Sequence, residues 1–67
     1  MMKIHLNGSP HPLDSELSLA ELLDRIGLGG KPVIVELDEL AVFPRDYAQV
    51  RIQDGAKIEV VTLAAGG

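Results

Sequence analysis

Apolar and polar residues alternate at the start of the chain. Met2, Ile4 and Leu6 interleave with Lys3, His5 and Asn7, the two-residue period of a strand with one face on a core. Asn7-Gly8 then supplies the positive φ angles of a tight hairpin turn. The return run from Pro10 to Leu13 carries Pro10 and Pro12, which donate no ladder hydrogen bonds and so belong on a sheet edge.

The period changes after Leu17. Leu19, Leu22, Leu23 and Ile26 fall on one stripe of a helix, with Glu21, Asp24 and Arg25 on the wet side. Ser18 followed by Glu21 predicts a capping box, and Leu17 and Leu22 are spaced for a hydrophobic staple. The stripe predicts one amphipathic helix of about nine residues. Gly27 sits where a left-handed C-terminal cap belongs, with Leu28 covering the last turn.

Beyond the loop Gly29-Gly30-Lys31-Pro32, alternation returns in Val33, Val35 and Leu37. Asp38 and Glu39 turn the chain into a short strand from Leu40 to Phe43. Pro44 to Gln49 has no clean period, but Tyr47 and Val50 are placed to plug the open end of a core. Asp54-Gly55 marks a turn before a last strand, Lys57 to Leu63, that is apolar on both faces and reads as central. A hairpin, a crossing helix and a final strand set beside the first predict an α+β, β-grasp domain: a mixed sheet of roughly four to five strands packed on one helix. In that layout the first and last strands run parallel in the centre.

Length and charge narrow the function. A chain of 67 residues is one small module, with too little core for a deep cleft. The absence of Cys removes disulfides, Cys-type zinc sites and thiol nucleophiles. A net charge of −4 and only 3% aromatics argue against nucleic acid and fit a partner protein with a basic patch. No apolar run approaches the roughly 20 residues of a membrane span, and no basic stretch with an apolar run opens the chain. The expected location is the cytoplasm and the expected free state a monomer.

Side-chain chemistry has few candidates. Gly27 to Lys31 has phosphate-loop residue types, but it closes a helix and opens a strand, the reverse of the order an anion site needs. His5 and His11 are expected opposite each other on the first hairpin, two imidazoles without a third metal ligand. Asp14, Glu16, Asp38, Glu39, Asp46 and Asp54 fall in turns or on wet faces. Ser9, Ser15 and Ser18 have no base beside them. Neither a catalytic residue nor a metal site is expected. Alternation turns Val61 and Leu63 away from the helix, with Ile34 beside them, an apolar patch for a partner or for a second copy.

What remains is the end of the chain. Residues 1–63 form the expected domain, and Ala64-Ala65-Gly66-Gly67 follow as a slim tail whose last carboxylate has no Cβ beside it. A terminal Gly-Gly alone is a weak motif, and a frayed end of small residues fits it as well. With the start Met2 to Gly8, the helix end Leu22 to Gly27, Val35-Glu36-Leu37, Pro44-Arg45, Asp54-Gly55 and Gly66-Gly67, the chain resembles the ubiquitin-like sulfur carriers of prokaryotes, above all those of thiamin biosynthesis. It departs from them in its Asp38-Glu39 turn, about one residue longer than their Asn-Gly type turn, and in Ala65 where some members have a third glycine.

The resemblance implies a carrier rather than an enzyme. A separate adenylyltransferase of the ubiquitin-activating (ThiF) type would adenylate the Gly67 carboxylate with ATP, and a sulfur donor would convert it to a thiocarboxylate. Sulfur would then pass to a thiazole synthase of the ThiG type. The carrier would bind no cofactor itself, since ATP and sulfur arrive through partner enzymes. Without Cys, carried sulfur has only the C-terminus to sit on. The small subunit of molybdopterin synthase, a protein modifier linked to lysine, and a plain β-grasp interaction module share these features.

Overall fold

The computed structural model describes residues 2–63. Its elements are β1 (Met2–Leu6), β2 (Ser9–Leu13), α1 (Leu19–Arg25), β3 (Val33–Leu37), β4 (Leu40–Val42) and β5 (Lys57–Thr62), with a 3-10 turn at Pro44–Asp46. The strands form a single sheet in the order β2-β1-β5-β3-β4. β1 and β5 run parallel at its centre, while β1–β2, β3–β4 and β3–β5 are antiparallel. This is the expected β-grasp, with the two prolines of β2 on an edge that needs no donors from them.

One face of the sheet is closed by α1. Ile4, Leu13, Val35, Ile58 and Val60 meet Leu19, Leu22 and Leu23, all buried, and Leu17, Ile52 and Ala56 complete the cluster. Burying each such side chain contributes about 1.5–3 kcal/mol. Tyr47 and Val50 pack partly buried against this cluster, as their positions predict.

Local chemistry sets the helix ends. The Ser18 hydroxyl accepts from the Glu21 N–H at 3.1 Å, and the Glu21 carboxylate accepts from the Ser18 N–H at 2.8 Å. At the other end Gly27 takes φ 81°. Its N–H donates to the Asp24 carbonyl and that of Leu28 to the Leu23 carbonyl, the paired bonds of a left-handed cap. The helix therefore spans seven residues, shorter than its apolar stripe, because Ile26 already leaves helical geometry.

Three side chains in turns extend the strand ladders. The Asp54 carboxylate accepts from the Lys3 N–H at 2.8 Å, that of Asp38 from the Lys57 N–H at 2.9 Å, and the Asn7 amide oxygen from the Val60 N–H at 2.8 Å. The acidic turn residues thus complete backbone pairing. The β3–β4 turn is a two-residue connection, Leu37 pairing with Leu40 across Asp38 and Glu39 at φ 49° and 72°. Two left-handed residues are what an Asn-Gly turn would also provide, so the hairpin closes without extra length.

The structure corrects several expectations. His5 pairs with Pro10 and His11 with Ile4, so the two histidines lie on opposite faces of the hairpin. The strand expected to reach Phe43 ends at Val42, because Pro44 starts the 3-10 turn. β5 ends at Thr62, one residue before Leu63. β5 is central by hydrogen bonding but is covered on one face alone: Ile58 and Val60 are buried, and Val61 is exposed.

Candidate functional site

The site is the end of the sheet from which β5 leads toward the chain terminus. β5 lies between β1 and β3. The Leu63 N–H donates to the Pro32 carbonyl at 3.0 Å, extending the β3 side by one more bond. The expected tail residues Ala64, Ala65, Gly66 and Gly67 lie outside the described residues.

On the face away from α1, Val61 pairs directly with Ile34. They are 57% and 49% exposed, too much for core residues of a chain this small. The β3–β4 register continued by one residue sets Phe43, 58% exposed, opposite Ile34. The Arg45 guanidinium lies 5.2 Å from the centre of the Phe43 ring, within cation–π range. The result is a row of Val61 on β5, Ile34 on β3 and Phe43 just past the end of β4, with a cation at one end. Sequence reasoning missed Phe43 and Arg45. The strand expected from Leu40 to Phe43 already held the signal, since its alternation sets Phe43 on the face of Ala41.

Leu63 follows β5 in the same register, its N–H on the Pro32 carbonyl, and it also lines a groove beside α1 and the loop that follows it. Within the strands the outer patch rests on Val61 and Ile34, with Phe43 added beside Ile34.

Away from this end the polar groups are structural. Arg51 bridges Glu16 at 3.2 Å and Glu21 at 3.7 Å, and the Lys57 ammonium reaches Glu39 at 3.7 Å and Glu59 at 3.8 Å. The Glu21 carboxyl is held below the usual carboxylate range, first by the Ser18 N–H, then by the Ser18 hydroxyl, with Arg51 and Arg25 adding to it. Among the described residues no three His, Cys, Asp or Glu side chains cluster as metal ligands. Among them, too, no helix is long and apolar enough to cross a membrane. Gly29, Gly30 and Lys31 follow the C-terminal end of α1, where the helix dipole disfavours an anion.

These features define a class: a ubiquitin-like β-grasp domain with an apolar sheet face on one side of its central strand and a helix-side groove on the other. Comparison with known proteins narrows the class. Residues 4–67 match the ThiS family, and the chain belongs to it. It is 38% identical to the sulfur carrier protein ThiS of Thermus thermophilus over 96% of this chain and 98% of that one. It is 39% identical to a thiazole synthase of Magnetococcus marinus over 98% of this chain and 20% of that one, so it spans about a fifth of that relative's length. A crystal structure of the thiamine biosynthesis protein ThiS from Geobacter metallireducens superposes with a TM-score of 0.84 at 26% identity, covering 98% of this chain and 100% of that one.

Proposed function

We propose that the chain is the sulfur carrier for thiazole formation in thiamin biosynthesis, with the Gly67 carboxylate as the reacting group. The observation that supports this most is the central β5 leading toward Ala64-Ala65-Gly66-Gly67 in a member of the ThiS family. A carboxylate is a poor acyl donor. Attack of its oxygen on the α-phosphorus of ATP expels pyrophosphate and forms an acyl-adenylate. Hydrosulfide then attacks the acyl carbon, AMP leaves with the acyl–oxygen bonding pair, and loss of the thiol proton gives the thiocarboxylate. ATP and the sulfur donor are brought by an adenylyltransferase of the ThiF type and its donor, so the chain is a cosubstrate without a cofactor of its own. The sulfur goes to thiazole synthase, which fits relatives in which this domain is part of a thiazole synthase chain. The cytoplasm, where ATP is at hand, remains the carrier's expected location.

The row of Val61, Ile34 and Phe43 supports docking on those enzymes, because Val61 belongs to the strand that precedes the tail and exposure of the row costs a lone monomer apolar burial. The deciding experiment incubates the chain with the purified adenylyltransferase, ATP and sulfide and reads its intact mass. Replacement of one oxygen by sulfur at Gly67, reversed when thiazole synthase and its substrates are added, is the expected result. Isopeptide-linked products with no thiocarboxylate at any time would instead make the chain a protein modifier.

A further inference from the structure

We infer that the helix-side groove is a docking pocket for an apolar side chain of thiazole synthase, an inference that rests on the carrier reading above. The groove has a volume of about 480 Å³. Its walls include Ala20 and Leu23 of α1, Leu28 and Val33 at the two ends of the loop, Tyr47, and Leu63. Asp24 and Lys31 also line it and give it a mixed polar border. An apolar floor with a polar border is the make-up of an interface pocket that receives one anchoring side chain.

One wall residue carries an unmet demand. The Tyr47 hydroxyl is buried and has no hydrogen-bond partner among the described residues. A buried hydroxyl left unpaired makes this wall of the groove a locally weak part of the isolated domain.

The length of chain beyond Leu63 says who the occupant is. Four residues, Ala64 to Gly67, follow Leu63. Fully extended they span at most about 14 Å. Any enzyme that encloses Gly67 in its active site therefore brings its surface within that distance of Leu63, a wall of the groove. Of the two enzymes that handle Gly67, thiazole synthase is the one that relatives carry in the same chain as this domain, 39% and 33% identical in two bacteria. A pocket on the domain and its filling side chain on the synthase would then serve fused and separate partners alike.

The test uses the full chain with separately purified thiazole synthase. Ala20→Phe fills the groove from α1. The expected result is a Kd for the synthase raised at least tenfold, with adenylation of Gly67 unchanged. Should Ala20→Phe fail to fold, the methyl NMR signals of Leu28 and Val33 in the wild-type chain decide, those signals shifting or broadening as synthase is added. Wild-type synthase affinity in folded Ala20→Phe, unmoved methyl signals, or weakened binding to the adenylyltransferase alone would overturn the inference. A wild-type chain that is not adenylated at all removes the carrier reading itself; a normally adenylated chain with an indifferent groove removes this inference only.

Discussion

The amide oxygen of Asn7 accepts a 2.8 Å hydrogen bond from the backbone N–H of Val60, across 53 positions of sequence. Asn7 also holds the left-handed turn of the first hairpin at φ 51° and donates its own N–H to the Ile58 carbonyl. One residue thus turns the chain and prolongs the β1–β5 ladder past the end of β1, next to Val61. Asn7→Gly keeps the turn and removes the side-chain bond, and is expected to cost about 1–2 kcal/mol. In a domain of this size each kcal/mol lowers the melting temperature by about 4–8 °C. Asn7→Ala should lose more, because a Cβ residue resists the left-handed region. Thermal unfolding of the two variants checks this. An Asn7→Gly protein that melts with the wild type would falsify the role of the bond.

The capping box gives a pH dependence with a definite sign. The folded-state Glu21 carboxyl titrates below its unfolded value, chiefly because its ionised form accepts from the Ser18 N–H. Its contribution is therefore complete above the unfolded pKa and is lost as the pH falls through the folded one. Glu21→Gln keeps an acceptor in the box but no charge. The stability gap between wild type and Glu21→Gln should be widest at neutral pH and close on acidification, tracking the Glu21 carboxyl resonance in an NMR titration. A gap independent of pH would show that the charge is immaterial. Ser18→Ala, by removing the cap acceptor, should cost about 1 kcal/mol at neutral pH.

Val61→Asp puts a charge beside Ile34 in the middle of the exposed row. The side chain is exposed, so the fold should lose no more than about 1 kcal/mol of strand preference. Binding to the adenylyltransferase or to thiazole synthase should fall by about tenfold or more, the scale of a central interface residue. Calorimetric titration of each enzyme with folded variant settles it, equal affinities counting against the row as an interface.

Removing Gly66 and Gly67 separates fold from chemistry. The core cluster is drawn from residues up to Val60, so melting should stay within about 0.5 kcal/mol of the full chain. ATP–pyrophosphate exchange with the adenylyltransferase should vanish. Exchange that persists in the shortened chain would mean that another carboxylate is the one activated.

Much of this architecture was legible in the sequence because its determinants are local. Ser18 and Glu21 are three positions apart, and Asn7-Gly8 and Gly27 specify their conformations by themselves. The alternation of Met2, Ile4 and Leu6 and the stripe of Leu19, Leu22 and Leu23 needed only one buried face each. That the last strand lies beside the first was legible too, since it follows from the order of the elements. The 3-10 turn at Pro44–Asp46 left no trace, being shorter than any period.

Tertiary structure decided what depends on register and on distant partners. A shift of one pairing step separates His5 from His11, and the β3–β4 and β3–β5 registers together bring Phe43, Ile34 and Val61 into one row. Leu63, just past β5, lines the groove, and packing buries the Tyr47 hydroxyl without a partner among the described residues. Side-chain period tells which residues share a face of their own strand. Only the pairing of strands far apart in sequence tells which residues of other strands stand beside them.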